Sequence, residues 1–102
     1  MVKSITILQL KNDKESRSFL FMPFEFVENN PNFGLARYNE IYKSEIVTAH
    51  DETEDVLDDI YSDFNMRRPK DFKGHSLSTS DMVKMDGRYF YCDSYGWTEV
   101  KF

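Results

Sequence analysis

The residues best equipped for chemistry lie close together. Gly74-His75-Ser76-Leu77-Ser78-Thr79-Ser80-Asp81 places a histidine, several hydroxyls and a carboxylate within one short stretch. Such a set could supply a nucleophile, a base and an orienting acid. A triad is defined by geometry, however, and neighbours in one loop rarely point at each other. No Gly-x-Ser-x-Gly elbow is present. The same residues suit turn chemistry, in which hydroxyls and Asp81 bond backbone amides just ahead of a strand. Cys92 with His75 could make a thiolate nucleophile. Cys92 instead alternates with Phe90 in an apolar run, which suits a small buried residue. His50, His75 and Cys92 offer too few ligands for zinc, and no pair has the short spacing of a structural site. The expectation is therefore a chain with no catalytic residue, no metal and no cofactor.

Charge is the next resource. Asp51, Glu52, Glu54, Asp55, Asp58, Asp59 and Asp63 are the densest charged feature. On a helix, Asp55, Asp59 and Asp63 share one line at i, i+4 and i+8, opposite most of the apolar stripe. With Asp58 they could imitate the phosphates of a nucleic acid and occupy a DNA-binding protein. They equally suit a solvated helix face, since acids are favoured near a helix start. Arg67, Arg68, Lys70 and Lys73 follow. They could meet an acidic partner, and basic residues also belong at a helix end. Tyr89, Tyr91, Tyr95 and Trp97 crowd the closing segment. Those that face water would form a recognition surface, because Tyr and Trp give large contact area at hot spots.

These groups need elements to hold them. Residues 4–10 carry Ile5, Ile7, Leu8 and Leu10 and read as a strand covered on both faces. Lys11 to Glu15 mark a turn, and Phe19-Leu20-Phe21-Met22, stopped by Pro23, reads as a second strand. A hairpin joining 4–10 to 17–22 is the economical arrangement, with Phe24 and Phe26 packing back on it. Asn29 to Gly34 is a loop by its Asn, Pro and Gly content. A strand is expected at about 41–48. Val56, Leu57, Ile60, Tyr61 and Phe64 recur at helical spacing and predict the principal helix at about 52–65. Asp51 is the expected N-cap, with Glu54 as its capping-box partner, and Pro69 limits continuation. Met82–Met85, Arg88–Cys92 and Trp97–Lys101 read as a three-stranded meander. Asp86-Gly87 is a two-residue hairpin signal, because a type I′ turn needs positive φ at both positions. The fold class is α+β, with a mainly antiparallel sheet.

At 102 residues the chain fits one domain, taken as 1–102, and 40% apolar content supports one core. Thirteen basic against eighteen acidic residues argue against direct nucleic-acid binding, which draws on Lys and Arg neutralising phosphates. A lone cysteine, no signal-peptide pattern and no membrane-length apolar run suggest a cytoplasmic protein.

The stretch from Leu57 onward carries a family likeness. Leu57-Asp58-Asp59-Ile60-Tyr61, Phe64-Asn65, Pro69-Lys70-Asp71-Phe72-Lys73-Gly74-His75-Ser76-Leu77-Ser78-Thr79-Ser80-Asp81-Met82-Val83 and Tyr91-Cys92-Asp93-Ser94-Tyr95-Gly96-Trp97 resemble the YodL-like family of small bacterial domains. Residues 1–50 resemble it in pattern only. Val is commoner in the family where Thr79 and Met82 stand, and Phe where Tyr95 and Trp97 stand. The resemblance implies no enzyme activity or cofactor. It implies a mobile-element setting, in plasmids, conjugative elements and phages, and an accessory role on host machinery. The expected function is a non-enzymatic module binding a host or element-encoded protein through the 67–81 loop and adjoining aromatics, with Arg67, Arg68, His75, Ser76, Ser78, Tyr95 and Trp97 as partner-binding residues. The alternative is an acidic DNA mimic that inhibits a DNA-binding host defence protein.

Overall fold

A computed structural model describes residues 2–102. Five strands form one antiparallel sheet: β1 (Val2–Leu10), β2 (Tyr38–Val47), β3 (Met82–Met85), β4 (Arg88–Cys92) and β5 (Trp97–Val100). Their spatial order is β2-β1-β3-β4-β5, so the first strand lies inside the sheet. That position explains its composition. Ile5 and Ile7 face one core cluster and Leu8 faces the other, because successive side chains alternate between faces.

The helix α3 (Thr53–Met66) covers one face. Its stripe of Val56, Leu57, Ile60 and Phe64 packs with Ile5, Ile7, Val83, Met85 and Phe90. Phe72 and Leu77, from the segment after α3, complete that layer. The other face is covered by the chain between β1 and β2. That chain includes two single-turn helices, α1 (Lys14–Arg17) and α2 (Phe24–Val27), and a 3-10 turn at Leu35–Arg37. It brings Phe19, Val27, Phe24 and Phe33 onto Leu8, Met82, Tyr91 and Val100. The chain thus forms three layers around one shared sheet.

Ile7 lies opposite Tyr42 but Leu8 lies opposite Glu40, so Ile41 is an extra residue in β2. Such a bulge bends the strand. Ile41 packs against the α3-side cluster, where the backbone of Gly74 comes close. A Cβ on Gly74 would meet Gln9 Oε1 and lie 2.8 Å from Ile41 Cγ2. Any larger residue at this position would have to push aside the Gln9 and Ile41 side chains for the loop after α3 to seat on the sheet.

Several expectations are corrected. Residues 17–22 are not a strand, and β1 does not form a hairpin with them. Residues 14–17 are helical instead, with the Asp13 carboxylate accepting from the Ser16 amide at 2.8 Å. The strand that pairs with β1 is β2, far along the chain. The Phe19–Met22 run turns rather than extends: Met22 N–H bonds Phe19 O at 3.2 Å. Phe24 packs back as expected, whereas Phe26 is exposed. The second long strand starts at Tyr38, ahead of the expected 41. The cap of α3 is Glu52, without a side-chain cap bond, so the expected Asp51 capping box does not form. Asp51 stands one position before the cap, and its carboxylate bonds no first-turn amide. The meander is as expected, and Asp86 and Gly87 have φ of 56° and 74°.

Candidate interaction surface

The turn ahead of β3 holds most of the residues that invited a catalytic reading. Asp81 is fully buried, and its Oδ2 accepts from Ser78 N–H at 3.0 Å and Gln9 Nε2 at 3.3 Å. Its Oδ1 and the buried Ser78 Oγ have no partner among the described residues. Burial pushes the Asp81 carboxyl up to about 7, against the opposing pull of His75 and the amide of Ser78. The His75 ring lies 3.8 Å from Asp81, while its Nδ1 is 2.8 Å from Ser76 O. Ser78 Oγ meets neither group. The trio therefore forms a turn clasp rather than a proton relay, and Gln9 ties it to β1 by donating to His75 O at 2.8 Å.

Cys92 is buried beside this turn, and its amide donates to Asp81 O at 2.8 Å. Burial, with the nearby Asp81, Asp93 and Asp58 carboxylates, pushes its thiol up to about 12. It stays a thiol at neutral pH, without nucleophilic character. Among the described residues, no cluster of three or more His, Cys, Asp or Glu side chains is placed to hold a metal. No helix there is long and apolar enough to cross a membrane.

The two arginines after α3 are engaged locally. Arg67 pairs with Asp63 at 2.8 Å. Arg68 donates to Ser76 Oγ at 2.6 Å and Gly74 O at 3.3 Å, with its guanidinium over the Phe72 ring. Arg68, Ser76 and His75 thus belong to one local cluster, and Tyr95 and Trp97 to another.

That second cluster gathers at the end of the sheet where β4 turns into β5. Tyr95, at the tip of the turn, is 97% exposed. Trp97 is half-buried, stands edge-to-face with Tyr61 and donates its ring N–H to Asp58 Oδ1 at 3.2 Å. A cleft of about 200 Å³ opens between α3 and the turn, lined by Asp58, Tyr61, Thr79, Ser94 and Trp97, among others. The α1–α2 connector joins the same end. Phe24 N–H bonds Asp93 Oδ1 at 3.1 Å, and Tyr91 donates its hydroxyl to Met22 O at 2.6 Å.

Sequence reasoning missed the most unusual residue here. Phe21 is 65% exposed and has φ 62°, a left-handed conformation in which a bulky side chain is strained. Its amide donates to Ser80 Oγ at 3.2 Å, and Ser80 is itself at φ 92°. Tyr38 holds Ser80 from below, donating its hydroxyl to Ser80 O at 2.6 Å. Neither residue type advertises positive φ, so no sequence signal marked the pair.

The acids of α3 separate. Asp59 meets His50 at 3.1 Å and Asp63 meets Arg67. Asp55 is exposed without a cationic partner among the described residues, and Asp58 faces the cleft. Residues 44–66 contain eight acids and no Lys or Arg.

No curated protein and no solved structure shows a significant match to this chain. The family model described as YodL-like domain matches residues 4–102. The match extends through the amino-terminal half, where the sequence pattern alone was loose, and the chain belongs to the YodL-like domain family.

Proposed function

We propose that this chain is a non-enzymatic protein-interaction module, docking through the end formed by the β4–β5 turn and the α1–α2 connector. The observation that carries the reading is two exposed aromatics anchored near the end of β4: Phe21, held in strained backbone at φ 62° and tied through Ser80 to Cys92, and Tyr95, 97% exposed in the turn that follows. Strain of this kind costs about 1–3 kcal/mol and persists where surrounding structure enforces it, commonly at functional sites. Exposed aromatics at one end of a fold, with Met22 next to Phe21 in the chain at 40% exposure, are typical of contact patches. The loop that holds Arg68, His75 and Ser76 flanks this end through the Ser78–Asp81 turn and serves as its support. In the mobile-element setting that the family resemblance implies, the partner is a host or element-encoded protein.

Capture from bacterial lysate with the wild type, with Phe21→Ser/Tyr95→Ser, and with Val47→Ser as a control on a distant edge tests this. A partner retained by wild type and control but lost from the double variant is the expected result. No selective loss, with all three proteins folded, overturns it.

The acid-rich 44–66 segment favours a second reading, a DNA mimic that occupies a DNA-binding host protein. Of the Asp55, Asp59 and Asp63 line, Asp59 meets the His50 ring and Asp63 meets Arg67, and only Asp55 has no such side-chain partner among the described residues. Under this reading capture weakens steeply with salt and is lost when all three are changed to Asn. Unchanged capture by that triple variant removes it.

A further inference from the structure

We propose that the cleft between α3 and the β4–β5 turn is a receptor for one cationic side chain, an arginine or lysine presented by the protein partner. This rests on the interaction-module reading and names the chemistry its partner must offer.

The walls of the cleft define the ligand. Tyr61 and Trp97 stand perpendicular, with ring centroids 6.5 Å apart, and give it an aromatic side. Asp58 gives it a charge. One oxygen of Asp58 is fixed by the Trp97 ring N–H at 3.2 Å, while the other has no partner among the described residues. Asp93 adds a second, permanent charge. Burial would raise its carboxyl, but bonds from Thr98, Ser94 and Phe24 hold it below the usual carboxylate range. No Lys or Arg lines the space, and the nearest stretch of helix belongs to the segment with eight acids and no basic residue.

A volume of about 200 Å³ suits a single side chain rather than a drug-sized molecule. Aromatic faces beside a carboxylate are the chemistry that holds guanidinium and ammonium groups. The surrounding negative potential would draw a basic segment to this end of the molecule. Neutral or anionic ligands gain from neither feature.

Trp97 is the only tryptophan, so fluorescence excited at the red edge of its band, where tyrosine does not absorb, reports on this cleft. The probes are acetyl-Gly-Arg-Gly-amide, its lysine counterpart, and the norleucine peptide as an uncharged match. A saturable emission change with a cationic peptide, absent with norleucine, is expected. Asp58→Asn keeps an oxygen for the Trp97 N–H and removes the charge. It should weaken binding about five- to tenfold, the loss of one solvent-accessible charge contact. No saturable change with either cationic peptide up to about 50 mM, or an equal response to norleucine, overturns the proposal. Lysate capture separates the two readings. Capture undiminished by Asp58→Asn but lost in Phe21→Ser/Tyr95→Ser overturns the cation receptor and leaves the module standing.

Discussion

Asp81 shows how a residue suited to catalysis becomes a structural clasp. The carboxyl is buried with one oxygen bonded and the other without a partner among the described residues, and burial pushes it up to about 7. An unfolded Asp titrates near 3.9. Between these values the folded chain holds a proton that the unfolded chain has lost, so this group's stabilisation is complete below about pH 4 and disappears as pH rises through about 7. Asp81→Asn should remove that loss. Urea melts at pH 4.5 and 7.5 check it: the stability of the Asn variant relative to wild type should rise by on the order of a few kcal/mol between the two. Parallel profiles would mean that Asp81 is already ionised in the fold. The sequence marked the right residues here, and favoured turn chemistry over catalysis, because Ser and Asp ahead of a strand have a local role to play. It could not mark their depth. Nor could it mark Phe21 and Ser80, because left-handed backbone at these residue types is imposed by long-range packing and not by local preference.

Elements were legible where their signals are local. The stripe of α3 repeats within a few turns, and the β3–β4 hairpin rests on Asp86-Gly87, two adjacent residues. The failure lay at β1. Its nearest apolar run, Phe19–Met22, is the partner that proximity in sequence suggests, whereas β2 and β3 fill both its edges. An apolar run states that a segment is buried and leaves its pairing open, and here Phe19 is buried from a turn. The hairpin offers a clean test of local chemistry. Gly87 has φ 74°, and a Cβ there would meet nothing within 4 Å, so substitution costs arise from backbone conformation alone. Gly87→Val should lose roughly 1–3 kcal/mol, because a β-branched residue is strained at positive φ. Gly87→Asn should cost much less, since Asn visits that region readily. Thermal melts of the two variants decide it, and equal midpoints would contradict the turn geometry.

At the scale of the whole molecule, one sheet serves two cores. Strand β3 sends Met82 to the α1–α2 side and Val83 to the α3 side, and β4 does the same with Tyr91 and Phe90. Neither layer retains a surface to pack on without the sheet, and the sheet buries both its faces only when both layers are in place. The layers should therefore unfold together. Phe19 lies on the α1–α2 side, is 4% exposed and meets Phe33 edge-to-face at 5.5 Å. Trp97 reports from the opposite side, packed against the α3 cluster. Phe19→Ala removes a buried ring, at a cost of about 3–5 kcal/mol, a large share of the ~5–15 kcal/mol that stabilises a domain. The expected outcome is a urea midpoint lowered equally by Trp97 fluorescence and by far-UV circular dichroism, as a two-state chain requires. A Trp97 midpoint that stays at the wild-type value while the dichroism midpoint falls would show that the α3 layer holds the sheet by itself. The strained Phe21 turn would then be free to open without loss of the cleft, and the two parts of the proposed docking end would no longer act as one surface.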